Sequence, residues 1–206
     1  MKVLVIGATG GTGKILVRKL LEQGHTVTAF ARNPADVTTK HENLKVMKGE
    51  ARDAASVEAA VAGQDAVLNA FGPRSIKKDD LQEVQLRNLV AAMKKHGVKR
   101  VVNLSALGAG DSAHTSPFVF RIVRNTILRH VYADKNRAEP LLLNSELEFV
   151  NVRPGRLLDT AARGGVRVSK VGTDLKMELT REDLADFMIA QLTSAEHVRS
   201  SPMIGY

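Results

Sequence analysis

The 206-residue chain is 44% apolar and 25% charged, the balance of an ordinary globular protein, and its length suits a single α/β domain over residues 1–206. With no cysteine, disulfides, thiolate catalysis and cysteine-based zinc sites are excluded, and no apolar run approaches the roughly 18 residues of a membrane-spanning helix. The formal net charge of +8 fits either a phosphate-bearing partner or a solvated basic surface.

Val3-Leu4-Val5-Ile6 is an unbroken apolar run stopped at once by glycine, as suits a parallel strand covered on both faces. The opening MKVLVIGATG is too short and too soon broken for a signal peptide, so a cytoplasmic location is expected. From Gly11 to Gln23 the residues Ile15, Leu16, Leu20 and Leu21 recur at helical spacing, and Gly24 stands where a C-terminal glycine stop belongs. Thr26 to Ala31 reads as a second strand, ended by Arg32-Asn33-Pro34, and Leu44 to Lys48 as a third, ended by Gly49. A helix over 54–62, a strand over 66–70, a long amphipathic helix over 81–96 and a strand over 101–104 continue the alternation. The densest basic group, Lys94, Lys95, Lys99 and Arg100, surrounds the end of that long helix, where cations complement the helix dipole. Neither nucleic acid nor a membrane is expected as a partner.

A helical stretch follows over 118–144, in which Pro140 predicts a break or kink. A strand over 149–152 ends at Arg153-Pro154-Gly155. Thr180-Arg181-Glu182-Asp183 then resembles an N-terminal cap before a closing helix to Leu192, with Asp183 in the place usual for Glu or Gln. This alternation predicts an α/β fold: a doubly wound, mostly parallel Rossmann sheet with helices on both faces. Such sheets bind ligands beyond the carboxyl ends of their strands, where strand order reverses.

Between the first strand and the first helix lies Gly7-Ala8-Thr9-Gly10-Gly11-Thr12-Gly13. A loop there needs residues without a Cβ, so that the chain turns sharply and its amides approach a pyrophosphate resting on the positive end of the helix dipole. Glycines also serve ordinary tight turns; the strand-loop-helix context makes this one a dinucleotide signal. Thr9 and Thr12 are either hydroxyl donors to phosphate or simple helix caps. Proteins that select NAD place an acidic residue after the second strand to bind the ribose 2′-hydroxyl. Here stand Ala31 and Arg32. A carboxylate would repel a 2′-phosphate whereas a guanidinium binds it bidentately, so Arg32 favours NADP(H), unless it is merely a surface arginine in a turn. The six histidines lack zinc spacing, and no metal is expected. Lys77-Lys78-Asp79-Asp80 mixes signs and reads as a solvated turn at the start of the long helix.

GATGGTG, FARNP, the turn at Glu50-Ala51, NAFG at 69–72, VVNLSALG and the VRPG that ends at Gly155 together resemble the atypical short-chain dehydrogenases/reductases. The likeness is to the NAD(P)H-binding branch with the biliverdin-B/flavin reductases and the NmrA-like redox sensors, and it covers nearly the whole chain. It implies that Gly7, Thr9, Gly10, Gly11, Thr12 and Gly13 hold the phosphates and Arg32 the 2′-phosphate. Glu50 and Ala51 would lie by the adenine, and Ala70, Phe71 and Gly72 along the adenosine half. Leu104, Ser105 and Pro154 would lie near the nicotinamide, with Lys135 positioning its ribose.

The departures from that family bear on chemistry. Its typical members use a Tyr and a Lys four residues apart, so that the ammonium lowers the phenol's pKa for proton transfer. Tyr132 and Lys135 are three apart; with Lys135 in the family's lysine position, as the following Ala138-Glu139 suggests, the tyrosine position holds Val131, and Tyr132 is packing or surface. The family often shows two adjacent hydroxyl residues after the fifth strand, whereas here Ser105 is followed by Ala106. Carbonyl reduction of the usual kind is therefore not expected. The resemblance leaves an NADPH-dependent reductase that passes hydride to a small-molecule acceptor such as a flavin, with Ser105 donating a hydrogen bond. Such an acceptor needs orientation more than acid catalysis. The alternative is a non-catalytic NmrA-like sensor that holds NADP(H) and changes protein partners with its redox state. A monomer is expected. Ser112 to Phe120 is either a substrate-facing loop or an ordinary connection.

Overall fold

The computed structural model describes residues 1–73, 75–115, 118–169, 174–176 and 178–206. Its first strand, β1 (Lys2–Ile6), places Val3 and Val5 in one apolar cluster and Leu4 and Ile6 in another, all at most 1% exposed. That period of two on a strand covered from both sides sets the two-sided architecture. The chain continues through α1 (Gly11–Glu22), β2 (Thr26–Ala31), β3 (Leu44–Lys48), α2 (Ala54–Val61), β4 (Ala66–Asn69), α3 (Leu81–His96) and β5 (Arg100–Leu104). Then come α4 (Phe118–Asn125), α5 (Arg129–Leu143), β6 (Glu148–Pro154), β7 (Arg156–Leu158), β8 (Arg167–Ser169), β9 (Glu178–Thr180), α6 (Arg181–Ala190) and β10 (Met203–Gly205).

Eight strands form one sheet in the order β3-β2-β1-β4-β5-β6-β10-β8, parallel except for the antiparallel β10–β8 edge, and β7 and β9 pair separately. Helices α1 and α6 cover one face, where Leu16, Leu20, Leu184 and Met188 meet Val3 and Val5. Helices α2, α3 and α5 cover the other, where Val57, Leu89, Met93 and Leu142 meet Leu4 and Ile6. This is the doubly wound Rossmann arrangement expected from the alternation of elements. No helix among the described residues is long and apolar enough to cross a membrane.

The helical stretch over 118–144 is interrupted, but not at its proline. α5 runs through Pro140 to Leu143, because in the last turn the ring deprives the helix of a single bond. The interruption falls between α4 and α5. There Thr126 turns its hydroxyl back onto the Ile122 carbonyl, at 2.7 Å, and the Leu128 amide reaches five residues back to the Val123 carbonyl, at 3.0 Å. Thr180 caps α6 as expected, its hydroxyl accepting from the Asp183 amide at 3.1 Å.

Candidate functional site

Strand order reverses between β1 and β4, and the loop that leaves β1 lies at that point. Gly7 sits at φ +81°, and a Cβ on it would stand 2.6 Å from the Ala70 carbonyl oxygen at the end of β4. A Cβ on Gly13 would lie 2.0 Å from the Gly7 carbonyl oxygen, so the first turn of α1 rests directly on the loop. Asp53 caps α2 and Thr180 caps α6 with side-chain oxygens, whereas the N-cap of α1 is Gly10, with no side-chain cap and no acidic residue in the first turn. The positive end of α1 therefore meets the space above it with neither a side-chain cap nor an acidic residue of its own first turn to neutralise it.

That space is a cleft of about 780 Å³, whose floor is Gly7, Thr9, Gly10, Gly11 and Thr12. Gly13 lies beneath it, buried. One wall carries Arg32 at the end of β2 with Glu50 and Ala51, and the opposite side carries Ala70, Phe71 and Gly72. Arg32 is exposed, and the nearby Asp36 carboxylate, also on the wall, accepts from the Asn33 side chain at 2.9 Å. The size and donor set fit a dinucleotide: an uncapped helix start for a diphosphate and a guanidinium for a further phosphoryl group.

Leu104, Ser105 and Lys135 line a smaller hollow of about 20 Å³, which shares Phe71 and Gln82 with the cleft. Ser105, expected to donate a hydrogen bond at the nicotinamide end, donates its hydroxyl proton here to Glu139 Oε1 at 2.6 Å. Glu139, 2% exposed, also accepts from Asn151 Nδ2 at 2.9 Å and from Arg153 Nη2 at 2.7 Å. Arg153, likewise 2% exposed, pairs in addition with Asp111. Burial pulls the Lys135 ammonium down to about 8 against the opposing pull of the Glu139 and Asp134 carboxylates. Pro154 lines neither hollow; its carbonyl accepts the Leu107 amide at 2.8 Å.

Val131, one helical turn before Lys135, lines the large cleft, as does His130. Tyr132 points the other way. It is buried against Phe120, its hydroxyl donates to the Leu107 carbonyl at 2.9 Å, and burial pushes its phenol up to about 12. Asp134 pins the cleft's rear wall: its carboxylate accepts the Gln82 and Glu83 amides, at 2.9 and 3.2 Å, and so caps α3 from α5. Of the stretch 112–120, Ser116 and Pro117 lie outside the described residues; residues 110–114 form a 3₁₀ turn held by the Asp111–Arg153 pair.

Sequence reasoning missed the wall formed by Ser75, Lys77, Asp79 and Gln82, and it missed Arg181, which lines the same cleft from the start of α6. The arginine's only local signal is its place inside a capping box. Among the described residues, no group of three or more His, Cys, Asp or Glu is placed to hold a metal.

A family model described as NAD(P)H-binding matches residues 7–195 of this chain. Among curated relatives, the sterol demethylase protein B of Methylococcus capsulatus is 38% identical over 117 residues, which cover 53% of this chain and 35% of that protein. The chain thus spans about a third of that relative's length. Among solved structures, ChuY, an anaerobillin reductase from Escherichia coli O157:H7, has a TM-score of 0.82 at 24% identity, with 100% of this chain and 97% of that chain covered. A short-chain dehydrogenase/reductase from Veillonella parvula DSM 2008, solved in complex with NADP, has a TM-score of 0.82 at 18% identity, with 100% and 94% covered. These structural likenesses carry the fold.

Proposed function

Because this chain belongs to the NAD(P)H-binding family, we propose that it is an NADPH-dependent reductase whose acceptor is a flavin or a similar conjugated molecule. The observation that carries this reading is Val131. At the position from which the typical dehydrogenases present their tyrosine, an apolar side chain lines the cleft. The hydroxyl that the family resemblance sets near the nicotinamide, Ser105, has its proton engaged by Glu139. A site furnished in this way orients and covers a flat acceptor but offers no proton through these two groups, and a conjugated acceptor needs little more than orientation.

In this reading the glycine loop and the start of α1 hold the diphosphate, Arg32 holds the 2′-phosphate and selects NADPH over NADH, and Lys135 positions the nicotinamide ribose. When bound, the reduced nucleotide supplies hydride from its dihydronicotinamide ring, and the proton that completes reduction comes from solvent. The name of ChuY, a reductase of an anaerobillin, and the NADP in the Veillonella parvula structure support the choice of acceptor class and cofactor.

The test is to mix the purified protein with NADPH and FMN and follow the loss of the dihydronicotinamide absorbance. Turnover above the protein-free rate is expected. Tight NADPH binding without turnover on any of a panel of flavins, quinones and tetrapyrroles would instead leave a redox sensor, a second reading that the same missing acid favours.

A further inference from the structure

We propose that Arg181 is the second cation of the nucleotide site and binds the diphosphate bridge, giving up its contact with Asp159 to do so. This rests on the reading of the cleft as a dinucleotide site. A diphosphate brings two negative charges to the glycine loop, where the start of α1 supplies amides and a partial positive charge of about half a unit. Arg32 stands on the β2 side, placed for the ribose. On the α6 side, the Arg181 side chain lies against the first residue of α1: a Cβ on Gly11 would stand 2.8 Å from its Nε and 3.0 Å from its Cδ. The same side chain lines the cleft.

The position is enforced by the packing of α6 on α1. Glu182, the next residue, pairs with Arg18 at 2.8 Å, and Asp186 pairs with Lys19 at 2.7 Å. The buried cluster of Leu16, Leu20, Leu184 and Met188, with these two pairs at its margin, sets the register that brings residue 181 to the first turn of α1. The Arg181 side chain is 24% exposed, and its Nη1 is buried without a hydrogen bond of acceptable geometry. Its ionic contact is to Asp159 Oδ1, at 2.7 Å, on a side chain that is 81% exposed. A carboxylate so well hydrated is a replaceable partner. A guanidinium that is mostly covered, rigidly placed and poorly satisfied is suited to take two phosphate oxygens through its planar fork.

Titration calorimetry with NADPH and with NADH, on wild type and four variants, tests this. R181Q is expected to weaken both nucleotides by the same factor, about 10- to 100-fold, because the diphosphate is common to both. R181K, which keeps the charge and loses the fork, should lose about tenfold or less. R32Q should weaken NADPH alone. D159N should tighten both nucleotides about two- to fivefold by freeing Arg181, an outcome that a purely structural role for the pair would not produce.

The proposal is overturned if R181Q binds both nucleotides as wild type does, if its loss is confined to NADPH, or if D159N binds no better than wild type. Should R181Q fail to unfold cooperatively, R181K and D159N decide the matter between them. Wild type that binds NADPH with R181Q unaffected sinks Arg181 alone, whereas wild type that binds neither nucleotide removes the cleft's assignment and this proposal with it.

Discussion

Asp183 shows how one residue can hold a corner of the molecule together. It sits at the third position of α6 and is 4% exposed. Burial pushes its carboxyl up, but the Tyr206 hydroxyl at 2.5 Å, the Arg163 and Gly164 amides and the Thr180 hydroxyl outweigh burial and hold it at about 2, below the ordinary 3.8. Because the folded-state value is depressed, the stabilisation is complete above about pH 4 and is lost as pH falls through 2; at full value it is about 2 kcal/mol. Tyr206→Phe removes the shortest donor and raises this carboxyl's pKa. The midpoint of acid unfolding, followed by circular dichroism, is therefore expected to move to higher pH. An unchanged midpoint would mean that the tyrosine contributes nothing to the charged form. The capping box was legible in four consecutive residues, but the contribution of Tyr206, 23 residues away and just past β10, was not, because a side-chain donor so far along the chain leaves no local pattern.

At the level of elements, the rear of the site rests on three neighbouring strands that carry one asparagine each in register. Asn69 on β4 faces Asn103 on β5, which faces Asn151 on β6. The side-chain amide of Asn69 donates to Asn103 and that of Asn103 to Asn151, each at 2.7 Å, and Asn151 then donates to Glu139. All three are at most 7% exposed, so their side-chain amides find partners in one another and in the neighbouring Gln85, Glu139 and Ser201 rather than in water. Asn103→Leu leaves a donor on Asn69 and an acceptor on Asn151 short of a partner, and is expected to cost about 2–5 kcal/mol. A urea titration reads that loss directly, and a midpoint within error of wild type would refute the chain of dependence. The sequence located the three strands to within a residue or two at each end, since short apolar runs between turn signals are local features. It did not reveal β7, β8, β9 and β10, each only three residues long and too short to display a period.

For the molecule as a whole, thirty Lys and Arg against 22 Asp and Glu leave a net charge of +8. An anionic nucleotide should therefore be steered toward the protein. Its association rate is expected to fall about three- to tenfold between roughly 0.02 and 0.5 M ionic strength, while dissociation changes less. Stopped-flow fluorescence of bound NADPH measures both rates, and a flat association rate would show that the charge is too dispersed to steer.

The glycine spacing, the apolar runs and the alternation of strand with helix were enough to determine a doubly wound sheet and a dinucleotide loop at its first turn. Each of these is written within a few residues of chain. The tertiary structure alone decided which polar groups answer one another across it: Ser105 to Glu139, Asn103 to Asn151, Arg181 to the first turn of α1. Such pairings are dictated by burial, which forces a polar group to find a partner, and the register of packed elements selects that partner whatever its distance along the chain.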